Sequence, residues 1–497
     1  MYSECCFCTI HIYHYTLYGA TLVDVKKCVV MKFGGTSVGS AQAIDKVAQI
    51  VAEEHSSHSV VVVVSAMATV TNTLVDMAEY ARTRQRDKLN ASLHNLRSLH
   101  EAAMADLGVS ASTAASVKEK IAELSQLVES IYAIGELSPR AYDLLLSYGE
   151  QLSSRLVAAA IAMHGSVAKA VSATDLIVTT DRHQAAQPLL DQSRAKIESV
   201  LAPIVEHGVI PVVTGFIGAT EGGVTTTLGR GGSDYSATIL GYCLDATEVH
   251  IWTDVDGVMT ADPRLIPEAR TVDELSYSEA AELSYFGARV LHPLTMTPAA
   301  LKDIPIYIKN TLRPEVKGTR VSRAADPGSS PVKAITSINH ASLITVQGEG
   351  RIGVPDVAAK VFDALADAGV DVLFASQASS DYNISIVVHQ KDDERVVKLL
   401  TKVLSPDLSA YRIDAISLRK ELAIVAVVGD GMNGMPGVAG KVLMSVGDES
   451  INVVAIAQGS SERNISIVID EAETVRAVQR IHDAFISAGG RDDRRKV

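Results

Sequence analysis

Short apolar runs alternate with helical patterns along the first two thirds of the chain. The run Val60–Val64 is continuously apolar and β-branched, which is typical of a strand covered on both faces of its sheet. Similar runs at Cys28–Met31, Pro211–Phe216 and Glu248–Thr253 predict further strands. Strands that alternate with helices indicate a three-layer αβα domain.

Helical patterns fill the segments between these strands. Residues 91–133 form a long region of helical pattern without a strand signal, and Asp143–His164 predicts another helix. We expect the α/β domain to cover residues 26–322. A segment rich in Pro, Gly and Ser follows at 323–331 and is interpreted as a linker.

The last third of the chain contains an internal repeat. The segment that begins at Gly348 matches the one that begins at Gly429, and 18 of 41 aligned positions are identical without a gap. Each copy predicts the order strand, helix, strand, strand, helix, and a further strand follows the first copy. We expect two ferredoxin-like (βαββαβ) modules, with limits of 332–419 and 420–490. Because the second copy lacks a last strand, we predict that strand 332–338 completes it and that the modules are nested.

The composition fits several ordinary folded domains. The chain has 497 residues, of which 47% are hydrophobic and 21% charged, so it is too long for one typical domain. Its formal net charge of −13 argues against a general affinity for nucleic acids or membrane surfaces. An anionic substrate must therefore meet local basic side chains and backbone N–H groups.

The N-terminal segment 1–25 has the features of neither a signal peptide nor a transit peptide. Glu4 stands where a signal peptide has positive charge, and His11 and His14 interrupt the apolar runs. We expect a disordered extension. Five cysteines without disulfide-like spacing favour a reducing, cytoplasmic environment, and no apolar run is long enough to span a membrane.

Two glycines follow a basic residue at the end of the first strand, in the segment Lys32-Phe-Gly-Gly-Thr-Ser37. Glycines let the backbone approach a ligand closely, and successive N–H groups at a helix N-terminus favour anions. Lys32 adds a point charge suited to a phosphoryl group. The segment is not a Walker A loop, because its lysine precedes the glycines. A tight turn without a ligand is the alternative.

A second glycine-rich segment, Gly229-Arg-Gly-Gly-Ser-Asp234, also leads into a helical pattern. The guanidinium of Arg230 can hold a carboxylate through two parallel hydrogen bonds. Asp234 lies in the first helical turn, where it could merely cap the helix. The arginine and the flanking glycines favour a binding site over a simple cap.

Polar residues also follow two of the predicted strands. The strand Glu248–Thr253 ends in a loop with three acids and one arginine, which could bind a nucleotide or form an Asx turn. Ser65 and Thr71 follow Val60–Val64, where α/β proteins usually bind ligands. Glu150, taken by itself, is interpreted as part of a solvated surface.

Together these segments resemble the aspartate kinase family. The matching motifs, in the family's order, are KFGGTSVGS at 32–40, VVVVSAMATVTN at 61–72, SYGEQLSS at 147–154, TTLGRGGSDYS at 226–236, IWTDVDGVMTADPR at 251–264 and FGARVLHP at 286–293. The resemblance covers about residues 28–487. The two C-terminal modules resemble the paired ACT domains of the same enzymes.

The resemblance implies an amino-acid-kinase fold, ATP with Mg²⁺ as phosphoryl donor and L-aspartate as acceptor. The implied product is 4-phospho-L-aspartate, formed in the first step of lysine, threonine and methionine biosynthesis. Protein ligands alone are not expected to hold a metal ion. At this length we expect no fused homoserine dehydrogenase domain.

The resemblance also assigns roles to single residues. Lys32 is expected to face the phosphates, with Asp234 orienting it and Gly35 completing the catalytic set. The residues expected around aspartate are Ser65, Thr71, Glu150 on the amino group, Arg230 on a carboxylate, and Ser233. The residues expected around ATP are Lys32, Gly34, Gly35, Thr36, Ser37, Thr253, Asp254, Met259, Arg264, Arg289 and Val290. Met259 and Arg289 depart from the family, which often has tyrosine and lysine there.

Each C-terminal module carries two polar residues six positions apart across a strand: Asp371 with Gln377, and Asn452 with Gln458. In similar modules this edge binds an amino-acid effector between paired domains. The glutamines are similar to those of threonine-responsive relatives, so we expect inhibition by threonine rather than lysine. ACT modules usually pair between subunits, which predicts a homodimer or a larger homo-oligomer.

Two alternatives remain open. Another kinase of the same fold, acting on glutamate, acetylglutamate, carbamate or UMP, would share the glycine-rich loops, although Glu150 and Arg230 argue against it. A non-catalytic amino-acid sensor with a degenerate kinase domain would keep the repeat. The presence of Lys32 and Asp234 argues against that second alternative.

Overall fold

The computed structural model describes residues 27–287, 291–326, 330–348, 354–377 and 383–487. The predicted extension 1–25 lies outside the described residues. Within them, the chain forms an α/β domain followed by two smaller modules that share one antiparallel sheet. None of the described helices combines the length and apolar character needed to cross a bilayer.

The α/β domain is built on an eight-stranded sheet of order β3-β4-β2-β1-β7-β9-β10-β8. The strands from β3 to β9 in this order are parallel, and β10 is antiparallel to β9. A separate hairpin is formed by β5 and β6. The strands are β1 (Cys28–Phe33), β2 (Ser59–Val64), β3 (Ala168–Val171), β4 (Ile210–Thr214), β5 (Ile217–Ala219), β6 (Thr225–Thr227), β7 (Glu248–Thr253), β8 (Glu274–Ser276), β9 (Ile306–Asn310) and β10 (Thr319–Ser322).

Helices cover both faces of this sheet, as the continuous apolar strands predict. Successive residues of β2 point to opposite faces, so Val60 and Val62 join one core while Val61 and Val63 join the other. The helices are α1 (Ala41–His55), α2 (Val70–Arg82), α3 (Arg86–Leu107), α4 (Ala111–Ile134), α5 (Pro139–Met163), α6 (Leu190–Glu206), α7 (Gly232–Cys243), α8 (Tyr277–Tyr285) and α9 (Pro293–Leu301).

The helical region predicted at 91–133 is two helices rather than one. Gly108 ends α3 in a left-handed conformation, with φ of 62°. Ser110 then starts α4, since its side chain accepts a hydrogen bond from the backbone N–H of Thr113. A glycine that supplies a positive φ and a serine N-cap therefore separate the two helices.

The C-terminal modules share a six-stranded antiparallel sheet of order β12-β13-β11-β14-β16-β15. Its strands are β11 (Ala334–Gln347), β12 (Val372–Gln377), β13 (Ile384–His389), β14 (Ala415–Val428), β15 (Ala455–Gln458) and β16 (Asn464–Asp470). The accompanying helices are α10 (Val354–Asp367), α11 (Asp393–Val403), α12 (Ser405–Ser409), α13 (Val438–Gly447) and α14 (Thr474–His482). The predicted fold class, an αβα domain followed by two ACT-type modules, is confirmed.

Two long strands, β11 and β14, run through both modules. The first half of β11, Ala334–Ile338, pairs with the second half of β14, which in turn pairs with β16. The second half of β11 pairs with β13 and with the first half of β14. The pairing is irregular between Ile338 and Leu343, where His340 has a positive φ of 54°. The domain limits given above stay predictions.

The α/β domain packs closely against the second module. Ala261 and Ile266, in the loop after β7, join the apolar core that α13 and α14 cover. The hydroxyl of Thr260 lies 3.0 Å from Nε2 of His482, and both residues are buried. The carboxylate of Glu279 in α8 also accepts a hydrogen bond from the N–H of Asp430, at 2.7 Å. The loop after β7, predicted to lie on the nucleotide side, is thus tied to the second C-terminal module.

Candidate active site

A buried ion pair joins the first strand to α7. Nζ of Lys32, near the end of β1, lies 2.5 Å from Oδ1 of Asp234 in the first turn of α7, and both side chains are nearly buried. A carboxylate is favoured at a helix N-terminus because it compensates the positive end of the helix dipole. The N-cap of α7 is Gly231 rather than Asp234, and Asp234 instead holds the ammonium group of Lys32.

The turn after β1 is pressed against its neighbours. The N–H of Gly34 donates to the carbonyl of Trp252, at 3.1 Å. A Cβ at Gly35 would lie 3.0 Å from the carbonyl oxygen of Ala66, so only glycine fits without a shift. Thr36 is exposed, whereas the buried Ser37 uses its hydroxyl to contact Thr311 at 2.7 Å. In this structure the hydroxyl of Ser37 therefore serves the packing of the turn.

The glycine-rich segment before α7 holds Arg230 at the surface. Gly229 and Gly231, on either side of it, have positive φ angles of 78° and 70°. A Cβ at Gly231 would also lie 3.2 Å from Cβ of His292. Among the described residues Arg230 forms no salt bridge or side-chain hydrogen bond, and it is exposed. Its guanidinium is thus available to a ligand.

Ser233 lies next to Gly215, at the second position of α7. A Cβ at Gly215 would approach both Cβ and Oγ of Ser233 to 2.7 Å, so a side chain there would displace the serine. Ser233 is half-buried. The absence of a side chain at Gly215 keeps the start of α7 close to the end of β4.

Glu150 is buried rather than solvated, so its interpretation as a surface residue is wrong. It is 3% exposed and lies in the middle of α5. Oε1 accepts a hydrogen bond from the N–H of Ala66, at 3.1 Å, while Oε2 has no hydrogen-bond partner among the described residues. Burial raises the pKa of Glu150 to about 8. A buried oxygen without a partner is costly, and a cationic donor from a ligand would satisfy it.

The segment after β2 connects this carboxylate to the glycine turn. Ala66, which donates to Glu150, is also the residue whose carbonyl faces Gly35. The carbonyl of Ser65 accepts a hydrogen bond from Ser153 of α5, at 2.7 Å. Thr71, in the first turn of α2, is half-buried. Ser65 and Ala66 therefore lie between α5 and the end of β1, where the N–H of Ser65 donates to the carbonyl of Phe33.

The predicted nucleotide residues follow β7, which pairs with β1 in parallel. The hydroxyl of Thr253 donates a hydrogen bond to Oδ1 of Asp254, at 3.2 Å. Met259 accepts a weak hydrogen bond from Thr271 at its sulfur, at 3.6 Å. Arg264 is 87% exposed and pairs with Asp262 at 2.7 Å. Arg289 and Val290 lie outside the described residues.

Asp143 is a buried acidic residue that the sequence motifs do not identify. It is fully buried in α5, and its oxygens accept hydrogen bonds from His183, Gln184 and Thr227. It stands seven residues before Glu150, which puts both carboxylates on one face of the helix. That spacing is the signal available in the sequence.

The four residues predicted to bind an effector lie along the two outer strands of the second sheet. Asp371 immediately precedes β12 and Gln377 ends it, whereas Asn452 lies three residues before β15 and Gln458 ends it. All four residues are exposed. These strands form opposite edges in the order of the sheet. The described residues contain no group of three or more His, Cys, Asp or Glu that could hold a metal ion.

Comparisons with known proteins assign both parts of the chain to known families. The amino acid kinase family matches residues 27–310, and the ACT domain matches residues 344–404 and 425–485. The chloroplastic aspartokinase 2 of Arabidopsis thaliana is 32% identical over 462 residues, which cover 92% of this chain and 84% of that protein. The chain belongs to the aspartokinase family. The resemblance seen in its motifs is confirmed.

Other aspartokinase relatives are longer than this chain. The bifunctional aspartokinase/homoserine dehydrogenase of Haemophilus influenzae is 34% identical over 465 residues, which cover 92% of this chain and 56% of that protein. A bifunctional relative from Arabidopsis thaliana is 35% identical, with 50% of its length covered. The chain spans about half the length of these bifunctional members of the aspartokinase family.

Two solved aspartokinase structures have a similar fold over nearly their whole length. Escherichia coli aspartokinase III in complex with aspartate and ADP (R-state) has a TM-score of 0.77 and 28% identity, covering 92% of this chain and 99% of that one. The same enzyme in complex with lysine and aspartate (T-state) has a TM-score of 0.76 and 29% identity, with the same coverage.

Proposed function

We propose that this chain transfers the γ-phosphoryl group of ATP to the side-chain carboxylate of L-aspartate, giving 4-phospho-L-aspartate. The observation that carries the proposal is the buried Oε2 of Glu150, which has no hydrogen-bond partner among the described residues. Ala66, whose N–H binds the other oxygen of Glu150, also faces Gly35 in the turn that follows Lys32. The ammonium group of the amino acid would bind at Glu150, and the phosphates of ATP would bind at the neighbouring glycine turn. The reaction would open lysine, threonine and methionine biosynthesis.

The amino acid would bind through its two charged α-substituents. The unused oxygen of Glu150 would accept a hydrogen bond from the substrate ammonium, which also lowers the cost of ionising this buried acid. The exposed guanidinium of Arg230 would pair with the α-carboxylate. Ser65, Thr71 and Ser233 would line the space between these charges. The binding of aspartate by E. coli aspartokinase III supports this proposal.

The phosphates of ATP would bind at the end of β1. Lys32 would neutralise the transferred phosphoryl group, and Asp234 would keep its ammonium in position. The N–H groups of Gly35, Thr36 and Ser37, with the exposed hydroxyl of Thr36, would donate hydrogen bonds to the phosphate oxygens. The complex of E. coli aspartokinase III with ADP supports nucleotide binding by this chain.

The rest of the nucleotide would contact the loop after β7. We assign this role to Thr253, Asp254, Met259 and Arg264, together with Arg289 and Val290 as predicted from the motifs. Mg²⁺ would bind with the nucleotide, whose phosphate oxygens would be its main ligands. Bound there, it would neutralise charge on the β- and γ-phosphates.

The chemistry depends on positioning and charge neutralisation more than on proton transfer. The attacking side-chain carboxylate is already ionised at neutral pH, so no general base is needed. The main cost is the approach of one anion to another in line. Lys32 and the backbone N–H groups of the glycine turn would offset this cost because they are preorganised around the phosphates.

We further propose that an amino acid inhibits the enzyme by binding at the edge strands of the C-terminal modules. Gln377 and Gln458 favour threonine over lysine as the effector, although the E. coli relative binds lysine. ACT modules of two subunits would pair to form this site, so a homodimer or larger homo-oligomer is proposed. A cytoplasmic location stays a prediction from the cysteine pattern.

A single assay separates this function from its alternatives. The purified chain is incubated with Mg-ATP, hydroxylamine and one acceptor at a time: aspartate, glutamate, acetylglutamate, carbamate or UMP. Hydroxylamine converts an acyl phosphate into a hydroxamate, which forms a coloured complex with iron. Release of ADP is measured in parallel, because it also reports acceptors such as UMP whose product is not an acyl phosphate. Aspartate-dependent hydroxamate supports the proposal, whereas turnover with another acceptor, or none with any acceptor, would refute it.

A further inference from the structure

Asp143 is a buried carboxylate with every oxygen in use. Its Oδ1 accepts hydrogen bonds from the hydroxyl of Thr227 at 2.8 Å and from the N–H of Gln184 at 3.2 Å. Its Oδ2 lies 2.6 Å from Nδ1 of His183 and 3.1 Å from the same N–H of Gln184. Burying a polar group is costly unless it is hydrogen-bonded, and both oxygens of Asp143 have hydrogen-bond donors.

The partners of Asp143 support the segment that carries Arg230. Thr227 ends β6, two residues before Gly229. A Cβ at Gly229 would lie 3.1 Å from the carbonyl oxygen of Gln184, so the turn at 183–184 lies directly against this glycine. The N–H of Ala186 also donates to the carbonyl of Thr227, at 2.9 Å. Asp143 therefore holds both the strand and the turn on which the arginine loop rests.

The same helix holds Glu150 two turns further along. Asp143 and Glu150 are two turns apart on one face of α5, so the helix is a rigid spacer of roughly 10 Å between them. Glu150 is fixed by the N–H of Ala66, and Ser153 is fixed by the carbonyl of Ser65. One helix thus connects both residues that would bind the charged groups of the substrate.

We propose that Asp143 is a positioning residue that sets the separation between the Glu150 carboxylate and the Arg230 guanidinium. This inference rests on the proposed function, in which those groups hold the amino acid. Asp143 is fully buried, and its hydrogen bonds do not reach β1 or β7. Its loss should therefore impair aspartate binding and leave ATP binding largely intact.

The test uses full-length Asp143→Ala, Asp143→Asn, Thr227→Val and Thr227→Ser. Asp143→Ala should raise the KM for aspartate by about 10²-fold, the effect of a displacement of about 1 Å in a binding group, and change the KM for ATP by less than about threefold. Thr227→Val should raise the aspartate KM by about tenfold, the equivalent of one hydrogen bond. Asp143→Asn should lie between wild type and alanine, and Thr227→Ser should restore the wild-type KM because it keeps the hydroxyl.

Ser116→Ala is the matched control. It removes a hydrogen bond that Arg155 of α5 donates to the Ser116 hydroxyl of α4, at 3.0 Å, away from Asp143. Its aspartate KM should stay at the wild-type value. Equal rises in the KM values for aspartate and ATP would overturn the inference. So would an unchanged aspartate KM with a fall in kcat that matches the loss of folded protein. If Asp143→Ala does not fold, the Thr227 pair decides by the same criteria.

Amide hydrogen exchange gives a readout that does not depend on turnover. In ligand-free Asp143→Ala or Thr227→Val, amides at 225–231 should exchange at least about tenfold faster than in wild type, while those of α4 stay unchanged. Unchanged exchange at 225–231 would overturn the inference. An inactive wild-type protein would refute the proposed function alone, since the exchange result would still decide the positioning role.

Discussion

Nζ of Lys32 lies 2.5 Å from Oδ1 of Asp234, which connects the end of the first strand to the first turn of α7. The two residues come from opposite halves of the α/β domain, and both are nearly buried. An ammonium in such a site is costly without a partner, so Asp234 prepares it before any phosphate binds. The ion pair is thus part of a preorganised anion site.

Removal of this ammonium should greatly slow phosphoryl transfer. We expect Lys32→Ala to lower kcat by roughly 10²–10⁴, comparable to the loss of a preorganised charge-stabilising group. Steady-state kinetics with saturating aspartate and ATP measure the effect. Lys169→Ala, at an exposed position of β3, is the control and should keep the wild-type kcat. A Lys32→Ala enzyme with normal kcat would remove Lys32 from the mechanism.

The buried carboxylate of Glu150 should make the ligand-free protein less stable as the pH rises. Its pKa is about 8 in the folded protein, against an ordinary value of 4.5 for a solvated glutamate side chain. Between these values the folded state keeps a proton that the unfolded state loses, so the contribution of this group to stability falls with rising pH. Glu150→Gln, which stays neutral, removes that dependence.

Urea denaturation of wild type and Glu150→Gln at pH 5 and pH 8.5 measures the difference. We expect similar stabilities at pH 5 and a more stable variant at pH 8.5, by up to several kcal/mol, because each pKa unit is worth about 1.4 kcal/mol. The variant should also bind aspartate far more weakly. A variant that is less stable than wild type at pH 8.5 would show that Glu150 is not a strained buried acid.

The contact between Thr260 and His482 should transmit regulation between the two halves of the chain. Thr260→Val leaves His482 and the N–H of Arg270 without their partner, since that N–H also donates to the Thr260 hydroxyl, at 3.1 Å. We expect a loss of about 1–3 kcal/mol in the free energy of unfolding. Inhibition by the effector should weaken in parallel.

Thr401→Val is the matched control, because its hydroxyl bonds only within an exposed turn of α11. Its free energy of unfolding should change by less than about 0.5 kcal/mol, as for most surface substitutions. Calorimetry and inhibition curves for both variants decide the question. Unaltered inhibition in a destabilised Thr260→Val protein would leave the contact with a purely structural role.

The exposed glutamines at the edge strands should determine the response to an effector. Gln377→Ala and Gln458→Ala should each raise the threonine concentration for half inhibition by about tenfold, equivalent to one hydrogen bond. Gln390 lies in the first module immediately after β13. Gln390→Ala should leave the threonine concentration for half inhibition unchanged. Inhibition of the wild type by lysine alone would contradict the assignment of threonine.

Much of the fold follows from local patterns in the sequence. The apolar run at 60–64 predicts a strand buried on both faces, and these residues form β2. The break at Gly108 is not predicted, because the apolar spacing of α3 and α4 continues on both sides of it. The two long strands β11 and β14 are not predicted either, since each belongs to two modules and bends at residues with positive φ.

The site is less accessible to sequence reasoning than the fold. The motifs identify Lys32 and Asp234, but their contact depends on the parallel order of distant strands. Glu150 taken by itself is interpreted as surface, because its burial comes from the segment after β2 and not from its own neighbours. Asp143 carries no motif, and its role is visible only through partners that are far away in sequence.

The most direct test of the proposed reaction follows an oxygen atom. Aspartate labelled with ¹⁸O in its side-chain carboxylate is incubated with the wild-type chain, Mg-ATP and hydroxylamine, and the released phosphate is examined by ³¹P NMR. If the carboxylate attacks the γ-phosphorus, hydroxylamine then displaces phosphate that carries one ¹⁸O atom. We predict this labelled phosphate, in an amount equal to the hydroxamate formed. Unlabelled phosphate without hydroxamate would mean that water, not aspartate, accepts the phosphoryl group.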